Sequence, residues 1–210
     1  MNEYPWLAQY PKGIPAEINA DEFPSIPAVL DKIVNKRPQA PIFTNMGVTL
    51  TAQETFDMSN DLGAYLQSLP GMQKGDRVAI MMPNLLQYPV SLFGILRAGF
   101  IVVNVNPLYT ARELEHQLND SGAKAIIIIE NFAKTLERVI DRTPVKHVIT
   151  TQVGDLFPFA KRLVVNTVIK HVKKMIPQWN LPHAVDFRQA CAKGHERGLT
   201  PVELNNEDIA

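Results

Sequence analysis

The side chains able to do chemistry are few and scattered. The histidines are His116, His147, His171, His183 and His195, and no two stand four apart as a helical metal pair would. Cys191 is the one cysteine, so it has no internal disulfide partner and no second thiolate for a metal; it reads as a small buried or half-buried residue. His116 and Asp120 share a helical spacing, as do Asp57 and Asp61. A surface pair and two like charges on an exposed face account for them better than catalytic dyads. No two glycines stand two apart, which excludes the Gly-x-Gly turn of a dinucleotide loop. Gly94 to Gly99 has phosphate-loop spacing, but it continues Phe-Ile and falls at a helix end. These residues identify no catalytic or metal-binding group.

The elements that would position a site are clearer. Hydrophobic residues make up 46% of the 210 residues and charged residues 20%, as in ordinary globular chains. The 21 basic and 21 acidic residues cancel, which argues against a nucleic-acid binder. No basic start precedes an apolar run, and no apolar stretch is long enough to span a bilayer. The expectation is a cytoplasmic protein, soluble or peripheral on the inner face of the cell membrane.

Seven of the 16 prolines fall within residues 1–41, which read as an irregular arm with one short helix capped by Ser25. Pro41 to Thr51 reads as a hairpin turning at Met46-Gly47. Thr51-x-x-Glu54 and Thr110-x-x-Glu113 are capping boxes, each opening a helix. A helix starting near Asn84 or Gln87 carries Pro89, which predicts a kink or a delayed start. Asn131 is the expected cap of a further helix. Arg77–Met82, Phe100–Val105, Ala125–Ile129 and His147–Thr151 are strand-length apolar runs. Continuous apolar runs, alternating with amphipathic helices, indicate strands covered on both faces of a parallel sheet. Residues 42–151 are therefore predicted to form an α/β, doubly wound, mainly parallel sheet flanked by helices.

The character changes after Thr151. Residues 156–185 hold five bases and no acid. At helical spacing, 161–176 gathers valines and isoleucines on one arc and Arg162, Lys170, Lys173 and Lys174 on the other. Residues 152–185 are thus a basic amphipathic segment. Lys170, Lys173, Lys174 and Trp179 are candidate contacts with an anionic membrane surface. The same pattern suits a helix facing its own core or a second subunit. Residues 186–210 read as a C-terminal helix and a lead-in.

Four segments carry a resemblance. They are the Thr51 capping-box helix, Lys74-Gly75-Asp76-Arg77-Val78, Met81 through Gly99, and Val103 through Leu114. Their order and spacing resemble the N-terminal part of the AMP-forming acyl-adenylate synthetases, and most of all the bacterial long-chain fatty-acid–CoA ligases. The resemblance implies the N-terminal subdomain of that fold. It also implies a two-step reaction using ATP, Mg²⁺ and coenzyme A: fatty acid to acyl-AMP, then acyl-AMP to acyl-CoA. The family's Thr/Ser/Gly-rich phosphate loop is expected just after Ile209-Ala210, where this sequence stops. No catalytic residue carries over, so the 210 residues alone are expected to be inactive and to need the remainder of the ligase. Asn84, Tyr88, Asn104 and Asn106 lie at strand ends, where an acyl or coenzyme A channel would run. Apolar surface left uncovered would favour a homodimer. The alternative reading is a stand-alone, non-catalytic α/β module that binds a ligand or partner.

Overall fold

A computed structural model describes residues 4–210. Its seven strands are β1 Pro41–Asn45, β2 Val48–Thr51, β3 Arg77–Met81, β4 Ile101–Asn104, β5 Ala125–Ile129, β6 His147–Thr151 and β7 Val185–Asp186. The α-helices are α1 Ile26–Lys36, α2 Ala52–Gln67, α3 Gln87–Arg97, α4 Ala111–Ser121, α5 Glu130–Glu137, α6 Phe159–Thr167 and α7 Phe187–Arg197.

β1 and β2 form the expected hairpin, with Asn45 opposite Val48. Met46 and Gly47 between them have φ of 48° and 71°. Two positive φ values in a two-residue loop match the twist of an antiparallel pair, and glycine takes one of them without strain. The other five strands form one sheet in the order β4-β3-β5-β6-β7, every pair parallel.

The β5 run explains the layering. Side chains alternate across a strand, so its five buried residues serve two cores. Ala125, Ile127 and Ile129 join Leu62 and Leu66 of α2, Val90 and Ile95 of α3, and Phe187 of α7. Ile126 and Ile128 join Leu114 and Leu118 of α4 and Leu136 of α5 on the opposite face. The chain leaves β3 toward β4 and later leaves β5 toward β6. The direction reverses between β3 and β5, and the crevice where such sheets bind ligands opens at their C-terminal ends.

Both capping boxes are present. Thr51 Oγ1 accepts from Glu54 N while Glu54 accepts from Thr51 N, and Thr110 and Glu113 repeat the pattern. Other local expectations change. Ser25 stands at the N-cap of α1, but its side chain makes no cap bond. Pro89 sits in the first turn of α3, where its missing N–H would have had no helical partner, so the helix begins at Gln87. Asn131 is not a cap: α5 starts one residue earlier, at Glu130, and the Asn131 amide donates to Met175 O.

The largest difference concerns the segment after β6. It is not one helix over 161–176. α6 ends at Thr167, a π-helical turn covers Val168–Val172, and Lys174 takes a left-handed φ of 51°. Phe157 and Val165 from residues 152–185 pack into the core on one face of the sheet. The sheet draws β7 from Val185–Asp186, and α7 packs on α2, so the α/β core extends past Thr151.

Candidate functional site

Two features occupy the C-terminal rim of the sheet. The first is an apolar cleft of about 390 Å³ between the hairpin and α3. Phe43, Thr44 and Asn45 of β1 form one wall. Asn84 to Leu86, with Tyr88, Leu92 and Phe93 of α3, form the other. The hairpin reaches this position because its Asn45 amide donates to Asn84 O at 3.2 Å, just past the end of β3. Asn45 Oδ1 is buried and, among the described residues, has no hydrogen-bond partner. Tyr88 Oη donates to Asn104 Oδ1 at 2.9 Å, which fixes the phenol at the rim.

The structure thus places Asn84 and Tyr88 in the cleft wall, with Asn104 hydrogen-bonded to Tyr88. Asn106 is placed elsewhere: its Oδ1 accepts from Leu108 N at 3.0 Å and shapes the turn before α4. Lys170, Lys173 and Lys174 are exposed. Trp179 is half-buried against the α4–α5 core.

The second feature is a polar network that the sequence pattern missed. Gln87 is fully buried and donates to Thr151 Oγ1 at 3.1 Å and to Gln152 O at 2.7 Å. Asp155 accepts from Thr151 Oγ1 at 2.9 Å, from Gln152 N at 2.7 Å and from Asn166 of α6 at 3.3 Å. Asn166 Oδ1 also accepts from Gly154 N. Gln152 donates to Glu130 at the end of β5. Burial raises the Asp155 carboxyl above its ordinary range, against the pull of its donors. Glu130 is raised for the same first reason, with Gln152 and Lys170 opposing. A glutamine at the start of an apolar helix and an Asp four residues past a strand end were the available signals. Each alone has many explanations.

Chemically, these groups can hold and orient but not attack. Three donors occupy the Asp155 carboxylate, which leaves it little room as a base. Burial pushes the Cys191 thiol up to about 12, with repulsion from Asp61 and Asp186 adding to it, so it is no nucleophile. Among the described residues, His195 faces a carboxylate, with Nδ1 at 3.1 Å from Asp61 Oδ1 on the exposed side of α7. Asp57 instead accepts from Gln53.

ATP with Mg²⁺ requires a cradle of backbone N–H groups and convergent oxygen donors. Among the described residues no three His, Cys, Asp or Glu side chains are grouped to hold a metal. Helix α3, which faces the crevice, starts at Leu86-Gln87 with no glycine in its first turn. The residues present do not fit a Mg-bound triphosphate.

Comparison with known proteins gives the context of this rim. The long-chain-fatty-acid–CoA ligase of Escherichia coli O6:H1 (strain CFT073) is 53% identical over 205 residues, which is 98% of this chain and 36% of the relative. That of Bacillus subtilis (strain 168) is 36% identical over 164 residues, or 78% of this chain and 29% of the relative. The chain therefore spans about a third of the length of the curated relatives it matches. Among solved structures, the anthranilate CoA ligase AuaEII in complex with anthranoyl-AMP superposes with a TM-score of 0.68 at 18% identity. It covers 93% of this chain and 32% of that one. A benzoate CoA ligase from Burkholderia xenovorans gives 0.61 at 16% identity, covering 86% and 30%. At such identities the likeness concerns the fold, which is that of adenylate-forming ligases. Residues 30–210 match the AMP-binding enzyme family model, and the chain belongs to that family.

Proposed function

We propose that this chain is the N-terminal α/β portion of an AMP-forming long-chain fatty-acid–CoA ligase. The whole enzyme would convert fatty acid, ATP and coenzyme A to acyl-CoA, AMP and diphosphate through an acyl-AMP, using Mg²⁺. The observation that carries this reading is the 53% identity over 98% of the chain to a ligase of that description. The 210 residues alone are inactive on this reading, because among the described residues no cluster is placed to hold a Mg-bound triphosphate. Their partner is the remainder of the ligase, and the working location is the cytoplasm, peripheral to the inner face of the cell membrane.

The cleft beside Tyr88 supports a place for the chain portion of an acyl substrate or for coenzyme A. It is mostly apolar, and Asn84 and the Tyr88–Asn104 pair supply its polar edge. The test is direct. The 210-residue chain is incubated with oleate, ATP, Mg²⁺ and coenzyme A, and acyl-CoA and AMP are measured. No product above the enzyme-free rate is expected. Sustained turnover would overturn the inactivity and favour a complete enzyme.

A further inference from the structure

The outward side of α6 is apolar. Phe159, Leu163 and Val164 are 71%, 58% and 61% exposed. Ala160 and Thr167 lie on the same exposed side. The inward side is the one tied down. Val165 packs against the α2–α3 core, Asn166 bonds to Asp155, and the Lys161 ammonium donates to Met46 O of the hairpin. The sequence wheel placed Val164 and Val165 on one arc; the structure separates them across the edge of the buried side.

Beyond α6 the exposed surface turns cationic without losing its apolar groups. Lys170, Lys173 and Lys174 are exposed beside Val172 and Met175, at 71% and 55%. None of these three lysines enters a salt bridge among the described residues. Glu130 is the acid whose field reaches Lys170. No Asp or Glu occurs from 156 to 185.

We infer that residues 159–175 form a docking surface for an anionic lipid bilayer, with the α6 stripe entering the acyl–headgroup boundary and the three lysines meeting the headgroups. Charge complementarity selects the occupant. A second copy would oppose like charge to like charge. A buried protein interface would have to desolvate three lysines, none of which is in a salt bridge among the described residues. A bilayer takes the apolar stripe inward and leaves the ammonium groups at an anionic, hydrated plane. The inference needs no ligase activity, so its failure and that of the ligase reading are separable.

The test is co-sedimentation of the 210-residue chain with vesicles of phosphatidylcholine alone or with about one third phosphatidylglycerol, at low and high salt. Binding to the anionic vesicles is expected, falling with salt. Reversal of Lys170, Lys173 and Lys174 to Glu should weaken it by about a hundredfold or more, from the surface-charge contribution of each lysine. Leu163→Asp should weaken it about tenfold at unchanged charge on the lysines. The side chain is exposed, so circular dichroism should show that variant folded. Equal binding to neutral vesicles, or no effect of either variant, would overturn the inference. So would capture by a polyanion with no vesicle binding, which would make the surface an electrostatic site for acidic macromolecules.

Discussion

At the scale of single residues, the rim of the sheet is governed by burial of carboxyls. Glu130 is raised above its ordinary 4.5, first by desolvation. The folded state therefore holds that proton to higher pH than the unfolded chain does. Stability from this group is present below 4.5 and is lost as pH rises through the folded value. Glu130→Gln keeps a partner for the Gln152 amide and removes the titration. Urea midpoints of the two proteins should be close near about pH 4, and the variant should be the more stable near about pH 7. A gap that does not change with pH would refute the assignment. Such a network is hard to read from a sequence. Gln87, Thr151 and Asp155 are separated by up to 68 positions and meet only because β3 and β6 lie in one sheet; the 64-residue Gln87–Thr151 bond is the clearest example.

At the scale of elements, local signals worked where they were chemical. Thr51 and Thr110 announced their helices because a capping box satisfies backbone N–H groups within one turn, with no help from tertiary structure. The hairpin was legible for the same reason, through Met46-Gly47. The wheel over 161–176 misplaced Val164, which is exposed within regular α6, and beyond Thr167 the π-helical turn and Lys174 change the angle per residue that a wheel assumes. Helix contacts, too, are set by spatial neighbours. A Cβ on Gly194 of α7 would lie 1.7 Å from Asp61 O of α2, so only glycine permits this approach. Gly194→Ala should destabilise the protein by about 3 kcal/mol in chemical denaturation, from forced separation of α2 and α7. Lys193→Ala, one position along and exposed, should stay within about 0.5 kcal/mol.

For the whole molecule, the continuous apolar runs were enough for the class but not for the order. Four strands were visible as runs; the two-residue β7 was too short to show, and β4-β3-β5-β6-β7 depends on which faces the crossovers cover. The same layering ranks the parts by local stability. β5 is buried on both faces at all five residues, whereas α6 buries none of its own. Amide exchange followed by mass spectrometry should be slowest in β3 and β5, with 159–175 faster by at least about a thousandfold. Uniform protection across the two would contradict this ranking. The path of the chain between Thr151 and Val185 has a historical consequence. It leaves one strand and returns as that strand's neighbour, with Thr150 beside Asp186. The closure entropy of such an excursion grows only slowly with its length. Insertions, deletions and exchange of its outward residues would leave the register of every strand intact. Evolution could therefore retune this surface for different environments while the framework beneath it stays fixed.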